Sequence, residues 1–551
     1  MKKHQSILSV AFFILLVHGS LVLSAVEPGV DEIALFPSSM ELRGKDARQR
    51  LVVTANVDGR LVDVTDLANL SVSPGTIAEV DSEGNLHPLS NGTAKVTARW
   101  ERRKVTGQLV VHQADELPPV SFELHVQPVL VARGCSFGAC HGKARGQNGF
   151  QLSLLSFDPE FDFSSLTRHS RGRRVFPASP DRSLLLLKPT GEVPHGGGIR
   201  LHEEDHDYST LHRWIASGTP RRIDGEPTLQ RISVFPQERI MRPEQTQRLV
   251  VTAFFSDDSS RDVTGQTTFQ SNESAIVAIN TAGLAIAGPL PGESTLMARY
   301  MGQIATTHVL IPLEGEVAET LYADLPRNNF IDELAWEKLK LMRVTPSEGA
   351  SDSRYLRRCY IDLIGRLPHP EEVRLFLSSS DPGKREKLVE DLLERPEYAD
   401  HWANKWADLL RPNPYRVGIK AVLNYDNWIR QSFRENKPYD QFVRELVTAE
   451  GSTWRNGAAT LFRDRRSPVE IATIVSQLFL GIRLECAKCH HHPFERWSQE
   501  DFYSFAAYFS QVGRKGTGLS PPISGGEEII MTAKSGSVSH PLTGEILPPR
   551  P

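Results

Sequence analysis

Two hydrophobic rhythms alternate along the chain. From about residue 30 to 112, and again from 228 to 314, apolar and polar residues alternate with period two in short β-branched runs, punctuated by turn signals such as Asp58-Gly59 and Asn91-Gly92. The two stretches repeat one pattern. Gln49 to Ala55 and Gln247 to Ala253 both read QRLVVTA, each is followed by a strand and then Asp-Val-Thr (63–65 and 262–264), and each closes on a similar strand, 94–100 and 294–300. Units of this kind predict β-sandwiches of short antiparallel strands.

After residue 325 the rhythm turns helical. Residues 330, 331, 334, 335 and 341 mark one face of an amphipathic helix, and further periodic segments follow to about residue 512. Ser467-Pro468 reads as an N-cap with Pro at the first helical position, opening a helix predicted to run directly into Cys486. Ser498 and Asp501 form a capping-box-like pair ahead of another helix.

Between the two β units, residues 117–222 predict a helix ending near Arg133-Gly134 and a second one, EEDHDYSTLHRWIASG, with Tyr208, Leu211, Trp214 and Ile215 on one face. Pro-containing joints near 115–121, 218–228 and 325–330 are expected to separate the modules. The fold class is therefore multidomain α and β: two sandwiches, one small α domain and one larger, mainly helical domain. Residues 513–551 read as a Pro/Gly-rich tail.

Composition changes this picture little, but the N-terminus changes it a good deal. A net charge of −4, with 24% charged and 40% apolar residues, suits soluble protein and argues against a nucleic-acid binder. Lys2 and Lys3, the apolar run Ile7 to Val17 and the small pair Ser24-Ala25 read as an export signal over residues 1–25, with an uncleaved anchor as the alternative. The protein is expected to be exported, periplasmic or at the cell surface.

Export bears on the five cysteines, Cys135, Cys140, Cys359, Cys486 and Cys489, because close pairs in an oxidising compartment become disulfides unless other chemistry claims them. Both close pairs are followed at once by a histidine, in CSFGACH and CAKCH, which a disulfide does not explain. Two residues between the thiols and a histidine directly after the second is the signature of covalent haem c attachment, so Cys486, Cys489 and His490 form the more specific site. Zinc on Cys486, Cys489 and two of His490, His491 and His492 is its rival, and a disulfide is the third reading. A sixth iron ligand there would be His492 or His401.

At Cys135, Cys140 and His141 the four-residue spacing demands a looser loop, with a local disulfide as the alternative. No methionine lies between Met40 and Met241, so the sixth ligand would be a histidine; His195, beside a triple glycine, is chosen over His125, His169, His202, His206 and His212. Cys359 reads as a small core residue on a helix.

The segments GCSFGACHGKARGQNGFQLSLLSFDPEFDF, RGRRVFPASPDRSLLLLKPTGEVPHGGG and LHRWIASGTP resemble the planctomycete cytochrome c-like domain. The repeats resemble bacterial Ig-like domains of group 2. RRCYIDLIGRLPHPEE, YADHWANKWADLLR and CAKCHHHPFERWSQEDFYSFAAYF resemble the helical domain of unknown function that accompanies such modules. The resemblance implies haem c on Cys135 and Cys140, with His141 on the iron, and continuation into a further domain. The expected function is haem binding and electron transfer with one or two haems and an unidentified redox protein as partner, a relay rather than an enzyme with its own substrate. The alternative is a surface or adhesion protein that contacts polysaccharide through its Ig-like domains and holds zinc or disulfides at its Cys/His sites.

Overall fold

The computed structural model describes residues 32–57, 59–143, 145–489, 492, 497–516 and 526–550. The export signal at 1–25, the Asp58 turn position, His490 and His491 lie outside the described residues. The chain forms two compact units, residues 1–317 with 333–344 and residues 318–332 with 345–551.

In the first repeat, strands Ile33–Phe36, Val52–Val57 and Arg60–Asp63 form one sheet, and Ser39–Arg43, Arg103–His112, Gly92–Trp100 and Asn69–Ser73 form another. The second repeat reproduces this order with Leu229–Phe235, Val250–Phe255 and Ser260–Asp262, and with Glu238–Ile240, Gln303–Ile311, Gly292–Tyr300 and Thr268–Ser271. Alternate residues point inward, so that Leu51, Val53, Leu86 and Val96 fill one core and Leu249, Val251, Ala285 and Ile311 the other.

The strands are not all antiparallel as the pattern predicts. Ser39–Arg43 runs parallel to Arg103–His112, and Glu238–Ile240 runs parallel to Gln303–Ile311. The cause is a sheet switch. Ile33–Phe36 pairs antiparallel with Val52–Val57, and the chain then crosses to the other sheet without reversing, so it meets the last strand in the same direction.

The Pro-containing joints do not keep the modules of the first unit apart. Asp63 and Asp262 interlock the two repeats: Oδ2 of Asp262 accepts the Arg50 amide at 2.6 Å, and Oδ2 of Asp63 accepts the Arg248 amide at 2.8 Å. Phe36 and Phe235 stack beside this pair with centroids 3.9 Å apart, against buried Val52 and Val250. The module at 117–222 is fused in as well. Its Leu124 is part of the second repeat's core, and Arg213 is paired with Asp46 of the first repeat. Burial of apolar surface at these contacts outweighs the freedom the joints would otherwise allow.

In the second unit, helices Pro396–Leu410 and Ile419–Arg434 pack around Tyr425, Ile429, Leu446 and Ile471. The expected tail folds back into it. Strands Val512–Gly516 and Glu528–Thr532 pair with each other, Gly451–Ser452 joins them, and Ile530 is 2% exposed in the helical core. Among the described residues no helix is long and apolar enough to cross a membrane.

Candidate functional site

The first Cys/His turn hangs from a helix capped by Ser121, whose hydroxyl accepts the Leu124 amide, and ended by Gly134 in the left-handed region at φ 74°. Successive turns follow. The Cys135 amide donates to the Leu130 carbonyl at 2.8 Å, the Cys140 amide to Phe137 at 2.9 Å, and the His141 amide back to Cys135 at 3.0 Å. The four-residue spacing is thus absorbed in a coil that returns His141 to the first cysteine. Gly142 is required there, since a Cβ would stand 1.9 Å from the Ser136 carbonyl oxygen.

The His141 Nδ1 lies 3.0 Å from the Phe150 carbonyl, which accepts its proton and leaves Nε2 as the free lone pair. His195 is held in the same way, with Nδ1 2.9 Å from the Gly198 carbonyl. Two cations secure its loop: Lys188 Nζ donates to the Pro194 carbonyl at 3.0 Å, and Arg200 Nε to Gly197 at 2.9 Å. Gly197 lets the ring lie close, for a Cβ there would meet it at 2.9 Å.

The two imidazole centroids lie 6.3 Å apart, with the ring planes within 10° of each other. Burial, more than the nearby cations, holds the His141 pKa below its usual value and so favours the neutral, ligating form. Burial and the neighbouring Cys140 push the Cys135 thiol up to about 11.

Three other histidines of this module are engaged elsewhere. His125 Nδ1 accepts the Ser121 amide, and His212 meets Asp181 at 3.1 Å. His169 rests edge-on to Phe161. Met40 and Met241 are 4% and 0% exposed in the repeat cores. The five cysteines carry no disulfide. Lys188 and Arg200, which position the His195 loop, were not legible in the sequence, because a surface cation there has no periodicity or motif to mark it.

At the second turn the structure departs from expectation. The helix that opens at Ser467 has its capping box with Glu470, but it ends at Phe479, and Gly481 at φ 69° turns the chain before Cys486. Cys486 lies instead in a 3₁₀ turn, Leu484–Lys488. Residues three apart eclipse in such a turn, which gives it three faces. Leu484 and Ala487 enter a core with Phe502, Glu485 and Lys488 form the second face, and Cys486 with Cys489 forms the third.

The Lys488 carbonyl is fixed by Gln499 Nε2 at 2.9 Å. His492 is 5% exposed, and its amide donates to the Trp497 carbonyl. His401 packs over Gly365, where a Cβ would come within 2.2 Å of its Nδ1. Among the described residues no three of His, Cys, Asp and Glu gather as a metal-holding group, and the zinc reading turns on His490 and His491, outside them. Cys359 ends the helix Asp352–Cys359 and packs against the core of Leu356 and Tyr360, as expected of a small core residue.

These features define a class: a chain with a β-rich unit and a mainly helical unit, each carrying a cysteine–histidine turn. Residues 330–514, the mainly helical part, match the family described as PSCyt2, protein of unknown function (DUF1549). No curated protein matches the chain. Among solved structures it is similar to domains 5–6 of the S-layer protein SbsC, at 12% identity and a TM-score of 0.22, covering 52% of this chain and 100% of that one. It is also similar to rSbsC(31-844), at 11% identity and a TM-score of 0.15, covering 49% of this chain and 24% of that one. A C-terminal fragment of intimin, solved with an intimin-binding domain, gives 8% identity and a TM-score of 0.11, covering 51% of this chain and 64% of that one. Scores this low say nothing about function.

Proposed function

We propose that the chain is an exported haem c protein that relays electrons. In this reading Cys135 and Cys140 would hold the haem covalently, and His141 and His195 would supply nitrogen ligands to its iron. The observation that carries it is the closeness of the two imidazoles. Two rings 6.3 Å apart at their centroids and within 10° of parallel are close enough that both could hold one metal ion. Each ring also has its Nδ1 turned to a carbonyl, which leaves both Nε2 atoms free to ligate.

When bound, the haem supplies a one-electron couple. The chain's own part is to hold both rings near-parallel, to keep His141 neutral and to secure the His195 loop through Lys188 and Arg200. Two histidines without a methionine favour a lower potential than a His/Met pair. Cys486, Cys489 and His490 are proposed as a second anchor, supported by the motif and by the shared face of the two thiols.

The test is expression with c-type cytochrome maturation, followed by assay for haem that survives denaturation and for the pyridine haemochrome spectrum. Serine variants of each cysteine pair count the haems. His195→Ala should turn a low-spin ferric spectrum high-spin, and added imidazole should restore it. Absence of covalent haem, with about one zinc per chain, would defeat the proposal and favour the adhesion alternative.

A further inference from the structure

A cleft of about 500 Å³ opens on the helical unit beside the second cysteine turn. It lies among the end of the helix Pro396–Leu410, the helix Pro468–Phe479 and the turn Leu484–Lys488. Its volume suits a small organic ligand, for which sites run from about 300 to 1,000 Å³. The apolar side chains in it are Leu409, Val469, Ile474 and Leu478. The cations in it are Arg411, Arg416, Arg465, Arg483 and Lys488.

These cations fall into two groups. Arg416 and Arg465 are held from behind by Asp464, which is 2% exposed: Arg465 is ion-paired to it, and Arg416 Nε lies 3.8 Å away. Arg416 also meets Glu470 at 3.6 Å. Arg411, Arg483 and Lys488 have no carboxylate partner among the described residues. Arg411 is fixed by its backbone, since it ends its helix in the left-handed region at φ 49°.

Three carboxylates line the cleft, and Glu470 is already occupied with the amides of Arg466 and Ser467 in its capping box. Among the described residues three unpaired cations therefore face two unpaired acids, Asp408 and Glu485. A surplus of one positive charge suits a single anion and disfavours a polyphosphate, which the two acids would repel. The apolar side asks for a hydrocarbon body on that anion.

We infer that this cleft binds an amphipathic monocarboxylate, its head between Arg411, Arg483 and Lys488 and its body on Leu409, Ile474 and Leu478. Arginine suits the head because its fork matches a carboxylate's two oxygens. The cleft meets the turn on the Glu485/Lys488 face, away from the thiols, so the inference stands apart from the haem reading.

The test is calorimetric titration of the full chain with octanoate, set against octan-1-ol, octylammonium and octanedioate. Octanoate should bind with an affinity that falls as salt rises, and the three comparison compounds should bind more weakly. Arg483→Gln and Arg411→Gln, both at exposed positions, should each weaken binding by roughly tenfold, and Cys486→Ser with Cys489→Ser should leave it unchanged. Equal binding of octanol, unchanged affinity in both arginine variants, or no octanoate binding at millimolar concentration would each overturn the inference.

Discussion

Removing the Asp63 carboxylate should unfasten one repeat of the first unit from the other. Its side chain is fully buried. Oδ1 accepts the Thr65 amide at 2.9 Å and the Thr65 hydroxyl at 2.5 Å, and Oδ2 accepts the Arg248 amide at 2.8 Å. Hydrogen bonds to a charged acceptor are each worth about 1.5–3 kcal/mol, and breaking a buried charged network costs about 3–5 kcal/mol in all. In Asp63→Ala the Thr65 hydroxyl keeps a role, since it also accepts the Val53 amide, but the Arg248 amide across the contact loses its acceptor.

A loss of about 3 kcal/mol corresponds to roughly a hundredfold fall in protection. Hydrogen exchange of the full chain, read on a peptide spanning 246–252, should report it, and Asp63→Asn should fall between wild type and Asp63→Ala. The mirror variant Asp262→Ala should expose the Arg50 amide in the first repeat. If Asp63→Ala loosens only residues 49–65 and leaves the 246–252 peptide protected, the interlock contributes nothing and the reasoning fails.

Three further outcomes follow from the structure. His125, pushed down to about 4 by burial, must stay neutral to accept the Ser121 amide, so its 3.7 Å approach to Glu226 is not an ion pair. Its folded pKa lies below the unfolded 6.5, so the stability it confers is present above pH 6.5 and lost as pH falls toward 4, up to about 3 kcal/mol. Urea midpoints of wild type and His125→Gln should converge over that window, and parallel curves would refute this. Ile530→Ala should cost the helical unit about 2–4 kcal/mol in urea unfolding, because the side chain is 2% exposed there, and an effect under half a kcal/mol would contradict its place in that core. Gly142→Ala should disrupt the first cysteine turn, seen as raised thiol reactivity of Cys135 toward a maleimide, whereas Gly196→Ala, with open space at its Cβ and a backbone outside the left-handed region, should leave that reactivity near wild type.

What the sequence determined by itself was whatever is set within a turn or two of chain. The QRLVVTA repeat reads as strands because alternate burial is a local period, and Ser467 with Glu470 and Ser498 with Asp501 cap their helices through atoms three residues apart. Leu211, Trp214 and Ile215 could be singled out as core residues from their spacing.

Only the tertiary structure decided what depends on residues far apart. Asp63 and Arg248 are 185 positions apart, and Asp262 and Arg50 are 212, so no pattern along the chain announces that the Asp-Val-Thr of each repeat grips the other. The same holds for Leu124 in a neighbouring core, for Ile530 returning from the expected tail, and for the cations that fill the cleft beside the second turn. The direction of a strand within its sheet, and the 3₁₀ turn that sorts Cys486 and Cys489 onto one face, were settled by where the chain could bury its apolar side chains. Periodicity records that a residue is buried; it does not record against what.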